Sequence, residues 1–140
     1  MWDVETKKVI QQYKEHSGVI HQVKFHSLGN IAGSCSQDKK IKLYDLRARE
    51  VIQVYEQKHP IKSFDFHPHT SHIICASDDG ETRIFNTEKG TLEYTLSDTP
   101  SNLIRFSEEG DYFITGGSDK TISLWKSGFF DSFREKLPAN

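Results

Sequence analysis

Ser36-Gln37-Asp38-Lys39-Lys40-Ile41-Lys42-Leu43-Tyr44-Asp45 sets an aspartate six residues before an aromatic and ends on an aromatic–aspartate pair. The arrangement returns from Asp79 to Phe85-Asn86 and from Asp119 to Trp125, and Trp2-Asp3 supplies one more aromatic–aspartate pair. Trp2, Tyr44, Phe85 and Trp125 are spaced by 42, 41 and 40 residues. The residues leading into the last three repeat as well: Ile41-Lys42-Leu43, Thr82-Arg83-Ile84 and Ile122-Ser123-Leu124.

The register extends beyond these pairs. Seven residues after the first three aromatics stand Val9, Val51 and Leu92, and eleven after stand Tyr13, Tyr55 and Leu96. Upstream of the aspartates, Ile20–Phe25, Ile61–Phe66 and Ser101–Phe106 end with bulky apolar residues two apart, the period of a strand. No long stretch has apolar residues at helical spacing, so the chain reads as all-β. A fixed period near forty closed by an aromatic–Asp pair resembles the WD40-repeat family. That resemblance covers residues 1–126 and leaves 127–140 as a Phe-rich C-terminal extension. It implies a stack of four-stranded β-propeller blades whose usual role is to bind proteins.

With the family's strand order a, b, c, d, the chain opens on a strand c ending at Trp2 and a strand d near Lys8–Tyr13. The first full blade spans Val19–Phe25, Ile31–Ser36, Lys40–Tyr44 and Glu50–Tyr55. The second spans Ile61–Phe66, Ile73–Ser77, Glu81–Phe85 and Thr91–Leu96. The third has Asn102–Phe106, Tyr112–Gly116 and Thr121–Trp125 but no strand d. Leu28-Gly29-Asn30, His67-Pro68-His69, Asp79-Gly80, Lys89-Gly90 and Glu109-Gly110 supply turns between them. Propellers close at roughly four to eight blades. The expectation is therefore an arc of a larger propeller, seven-bladed by the resemblance, whose remaining blades come from upstream sequence or from another chain.

Composition narrows the function classes. Mean hydropathy is −0.62 and 35% of residues are apolar, which gives no membrane span or signal-peptide core. Eighteen basic and 20 acidic residues are interleaved for a net charge of −2, which argues against a basic nucleic-acid footprint. Cys35 and Cys75 read as buried reduced thiols in successive repeats, suited to a cytoplasmic or nuclear protein.

The resemblance also implies a buried polar chain in each blade, from the b–c aspartate through a d–a histidine and a strand-b hydroxyl to the strand-c aromatic. Blade one offers His16, Ser36, Asp38 and Tyr44; blade two offers His59, Ser77, Asp79 and Phe85; blade three offers Asp119 and Trp125, with Gly117 at the serine position. Recurrence at the repeat period marks these histidine–aspartate–serine sets as structural rather than catalytic, and no cofactor or metal is implied. His67, His69 and His72 read as a solvated a–b turn without a partner ligand at metal spacing. Asp78-Asp79 lies on a turn where neighbouring carboxylates point apart, and Gly116-Gly117 ends a strand instead of opening a helix. Phe129, Phe130 and Phe133 need cover, either on the last blade or in a partner.

Within the family, Tyr112–Asp119, Leu124-Trp125-Lys126-Ser127 and the Phe-rich exit resemble the C-terminal blades of the centriole-proteome WD40 proteins. Tyr44-Asp45-Leu46-Arg47, Phe25-His26 and Phe66-His67-Pro68 agree with this; Lys126 in place of aspartate, the missing third histidine and the lack of a C-terminal coiled coil depart from it. The resemblance implies a non-enzymatic scaffold in centriole, basal-body or axonemal microtubule structure, with centriolar or microtubule-associated protein partners and a cytoplasmic, cytoskeletal location. The alternative is an adaptor or substrate-recognition subunit, for example of a ubiquitin ligase or an RNA-processing complex. Binding is expected on the face of d–a and b–c loops, through His21, Gln37, Lys39, Lys62, Asp78, Asn102 and Ser118.

Overall fold

The computed structural model describes residues 2–99 and 101–128, which form thirteen strands and, among the described residues, no helix. The Phe-rich residues 129–140 lie outside the described residues, and with them most of the expected extension. Strands β1 (Trp2–Asp3) and β2 (Lys8–Val9) form a two-stranded ladder. Blade one follows as β3 (Ile20–Phe25), β4 (Ile31–Ser36), β5 (Lys40–Asp45) and β6 (Glu50–Glu56). Blade two is β7 (Ile61–Phe66), β8 (His72–Ser77), β9 (Thr82–Asn86) and β10 (Thr91–Leu96). Blade three is β11 (Ser101–Phe106), β12 (Tyr112–Gly117) and β13 (Ile122–Lys126).

Each blade is an antiparallel meander in sequence order, giving sheets of four, four and three strands. This is the architecture of a partial β-propeller. Of the strand expected over Lys8–Tyr13, Lys8 and Val9 pair with Asp3 and Trp2 among the described residues. The turns between strands b and c repeat one backbone shape: Lys39, Gly80 and Lys120 all sit at positive φ (70°, 77° and 65°). A glycine relieves that strain in blade two alone.

The sheets approach one another chiefly through strands a, with β3 and β4 against β7, and β7 and β8 against β11. The junction of blades one and two is the main core. Ile41, Leu43 and Cys35 meet Ile61, Phe64, Phe66, Ile73, Cys75 and Phe85 there. A second core joins Ile74, Ala76 and Ile84 to Ile104 and Phe113. The aromatic beat of the sequence is a packing rule across junctions: Tyr13 lies on Tyr44 with ring centroids 4.7 Å apart, and Tyr55 lies on Phe85 at 4.8 Å.

Polar bonds repeat across the same junctions at the same period. Ser63 Oγ donates to Gln22 Oε1 at 2.8 Å and accepts from Ile104 N at 3.3 Å. Asp65 pairs with Lys24 on one side and accepts from Phe106 N at 2.9 Å on the other. A buried carboxylate is tolerated here because a cation and a backbone donor both reach it.

Candidate functional site

The polar chain of blade one is complete, with one member other than the sequence pattern implied. His16 Nδ1 bonds to Asp38 Oδ2 at 2.8 Å, and His16 Nε2 meets Ser34 Oγ at 2.6 Å. Ser34 Oγ in turn contacts Tyr44 OH at 3.0 Å. The imidazole and carboxylate side chains are 2% and 6% exposed. Burial alone would raise the Asp38 carboxyl; the bonds from His16 and Ser17 outweigh it and hold the group below its ordinary range. The hydroxyl is that of Ser34, not Ser36. Ser34 lies ten residues before the aromatic and, diagonally across the β4–β5 ladder, within reach of it. Ser36 stands at the strand end, where its Oγ accepts from Asp38 N at 3.1 Å and shapes the turn.

Counting ten residues back from the other aromatics gives Cys75 and Thr115. Blade three therefore keeps a hydroxyl: Trp125 Nε1 donates to Thr115 Oγ1 at 3.1 Å, and Gly117 is not the equivalent position. Its Asp119 is exposed and, among the described residues, its side chain bonds only to Thr121 of its own turn, outside any buried chain. In blade two the pair is Cys75 and Phe85, both buried, and neither brings a hydroxyl or an indole N–H to that place. Burial pushes the Cys75 thiol up to about 12, that of an inert core residue, and Cys35 is pushed equally far for the same reason.

Blade two holds its b–c aspartate by other means. Arg83 Nη2 donates to Asp79 Oδ2 at 2.6 Å and also reaches Glu81. His59, expected in this chain, is exposed and makes no ring hydrogen bond among the described residues; its backbone carbonyl, with that of Pro60, accepts from Ser77 Oγ. Arg83 was not legible as a partner from the family pattern. It stands two residues before the aromatic in β9. Lys42 fills that place in blade one and bonds to the Glu15 carbonyl.

The turn expected at His67, His69 and His72 is present, but it is not solvated at His67. That side chain is fully buried. Its Nε2 donates to the Gly110 carbonyl at 3.1 Å, and its Nδ1 accepts from His69 N and Thr70 N, each at 3.1 Å. A side-chain carbon on Gly110 would come within 2.4 Å of the ring, so the glycine makes room for it. Burial pushes the His67 imidazolium down to about 4, and the two amides aimed at Nδ1 require that nitrogen to stay unprotonated. His72 Nε2 instead reaches Glu93 at 2.9 Å. Among the described residues no three His, Cys, Asp or Glu side chains are grouped to hold a metal.

On the d–a and b–c loop face the structure assembles two polar clusters. Lys62 Nζ reaches Asp78 Oδ1 at 2.6 Å and donates to Asn102 Oδ1 at 2.9 Å, linking blades two and three. His21 Nε2 meets Gln37 Oε1 at 2.9 Å in blade one. Lys39 and Ser118 are exposed at the b–c turns without joining either cluster. All seven residues sit at strand ends or adjoining turns, where the sheets fix their backbone.

The family model for the WD domain, G-beta repeat, matches residues 7–45, 49–86 and 91–126. The chain belongs to the WD40-repeat family. Each matched repeat runs from a strand d through the a, b and c strands of the next blade, so the family unit straddles the junctions described above. Among curated relatives, the WD40 chain is 21% identical to the target of rapamycin complex subunit wat1 of Schizosaccharomyces pombe over 90% of its length. It is 25% identical to cleavage stimulation factor subunit 50 of Arabidopsis thaliana over 88% of its length, and 24% identical to eukaryotic translation initiation factor 3 subunit I of Culex quinquefasciatus over 89%. It spans only 42%, 31% and 43% of these relatives. WD40 repeats are in general non-catalytic modules that bind other proteins.

Proposed function

We propose that this chain acts as a non-enzymatic scaffold that docks on other proteins through its d–a and b–c loop face, within centriole, basal-body or axonemal microtubule structure. The observation that carries the docking face is the Lys62–Asp78–Asn102 cluster, a charged and partly exposed group built across two blades on rigid strand ends. Such clusters favour specificity and encounter rate with a complementary partner. The centriolar assignment rests on the resemblance of Tyr112–Asp119 and Leu124–Ser127, and with it a cytoplasmic, cytoskeletal location.

A second reading is an adaptor subunit of a different assembly, including a ubiquitin ligase or RNA-processing complex. It draws on the printed names of the three relatives, each of which is called a subunit. A pull-down with the full chain separates the two. Recovery of tubulin-associated structural proteins supports the first reading, and recovery of ligase or RNA-processing subunits replaces it. The double variant Lys39→Glu/Lys62→Glu is expected to weaken partner binding on the order of tenfold with the fold intact by far-ultraviolet spectrum. Equal binding by variant and parent would move the interface to the side or the opposite face.

A further inference from the structure

The strand-c aromatic is covered differently at the junction of blades two and three. Tyr13 lies on Tyr44 and Tyr55 on Phe85, each ring coming from eleven residues after the preceding aromatic. The same place before Trp125 is held by Leu96. Leu96 and Trp125 both pack on the second core, and Trp125 stacks on Phe113 with ring centroids 5.9 Å apart. A leucine does not span the space that a tyrosine fills. Between β10 and β13 the described residues leave a cleft of about 830 Å³, lined by Ile84, Leu96, Phe113 and Trp125, with Tyr94 and Gly128 also in its walls. That volume lies in the range of ligand sites.

The chain itself brings rings to this cleft. Ser127 is tied to blade three: its N donates to the Asp111 carbonyl at 2.9 Å and its Oγ to the Gly110 carbonyl at 2.7 Å. Gly128, next along and in the cleft wall, sits at φ 66°, where glycine lets the chain change direction without strain. Phe129-Phe130-Asp131-Ser132-Phe133 follow at once. Three phenylalanines in five residues are costly to leave in water. Attachment at the wall holds them beside the cleft at an effective concentration on the order of millimolar. A ring from this segment therefore reaches Trp125 ahead of one from a separate molecule.

We propose that the segment Phe129–Phe133 docks in the cleft between blades two and three of its own chain, and that one of its rings covers Trp125 as Tyr55 covers Phe85. The aromatic that the strand-d place lacks at Leu96 is thereby supplied from the C-terminal side of Trp125. The docked segment acts as a strap that joins β10 to β13 across the junction. The proposal depends neither on what the loop face binds nor on how the propeller is completed.

The test reads the fluorescence of Trp125 alone, in the full chain with its other tryptophan removed by Trp2→Phe. Phe129→Ala/Phe130→Ala/Phe133→Ala is expected to move the emission to longer wavelength and to raise quenching by acrylamide, with the far-ultraviolet spectrum unchanged. Adding Leu96→Tyr is expected to make both losses small, because a phenol then covers Trp125 from β10. Unchanged emission and quenching in the alanine variant overturn the proposal. Undiminished losses in the Leu96→Tyr background overturn it too, by placing the segment outside this cleft. Shielding that disappears on dilution of the parent overturns docking within one chain and gives the cleft to the segment of a second copy. A measurement on the parent alone stands beside these: chymotrypsin should cut after Phe129, Phe130 and Phe133 more slowly than in the urea-unfolded chain. Equal rates overturn the proposal.

Discussion

Blades one and two share strand order, turn shape and packing of the strand-c aromatic, yet they secure the b–c turn by different chemistry. Blade one threads a buried imidazole from Asp38 to Ser34 and on to Tyr44. Blade two has Cys75 and Phe85 in the last two places and clamps Asp79 from the side with Arg83. The difference teaches that the repeat fixes where the turn and aromatic stand, while the partners of the turn aspartate and of the aromatic differ from blade to blade. Removing one member of the blade-one chain would leave a buried hydroxyl or carboxylate short of a partner, at a cost of about 1–3 kcal/mol per group.

The largest effect should come from the surface the two blades share. Phe64→Ala opens the core between them, and denaturant unfolding should register a loss of about 3–5 kcal/mol. A loss below about 1 kcal/mol would mean that the blades do not depend on one another.

Next comes the contrast between equivalent histidines. His16→Ala leaves Asp38 and Ser34 buried without their common partner and should cost about 1–3 kcal/mol. His59→Ala in blade two should stay within about 0.5 kcal/mol, as an exposed side chain. Equal losses at both sites would erase the distinction drawn between the blades.

The a–b turns extend the comparison to pH. His67 has a folded-state value of about 4, below its usual 6.5, so the folded state binds fewer protons than the unfolded chain between those values. Its contribution is complete above pH 6.5 and is lost as pH falls toward 4. His26, the equivalent in blade one, is lowered by burial too, but its Nδ1 accepts a single amide, from Leu28 at 3.2 Å. His67→Gln should therefore flatten the fall in melting temperature between pH 6.5 and 4 more than His26→Gln does. The reverse order would place the pH-sensitive turn in blade one.

The smallest effect belongs to the third blade. Asp119→Ala removes an exposed turn carboxylate held low by Thr121, and the melting temperature should stay within about 2 °C of the parent. A larger drop would show that blade three has an aspartate chain like that of blade one.

The loop face and the polar chains were not equally legible. Positions at strand ends follow from the repeat register, which sets Lys62, Asp78 and Asn102 on one face, where they meet. The sequence pattern points to Ser36 and Ser77 as the hydroxyls of the buried chain, whereas only the position two residues earlier reaches the aromatic across the strand pair, as Ser34 does. The spacing of ten to the aromatic, shared by Ser34, Cys75 and Thr115, carried the needed signal. Arg83 was hidden for another reason. A long cation can bond in several directions, and only the fold aims it at Asp79.

The sequence alone determined the all-β architecture, the strand order along the chain and the family, because a period near forty with strand alternation inside it leaves few other ways to bury the apolar faces. The tertiary structure decided which polar groups meet. His67 became a buried link to Gly110 rather than a solvated turn, Asp79 went to Arg83 rather than His59, and Ile122 and Leu124 became exposed while Ile41 and Leu43 became core. Periodicity assigns equal positions to equal residues, but burial depends on what packs against each blade, and that neighbour differs at every junction.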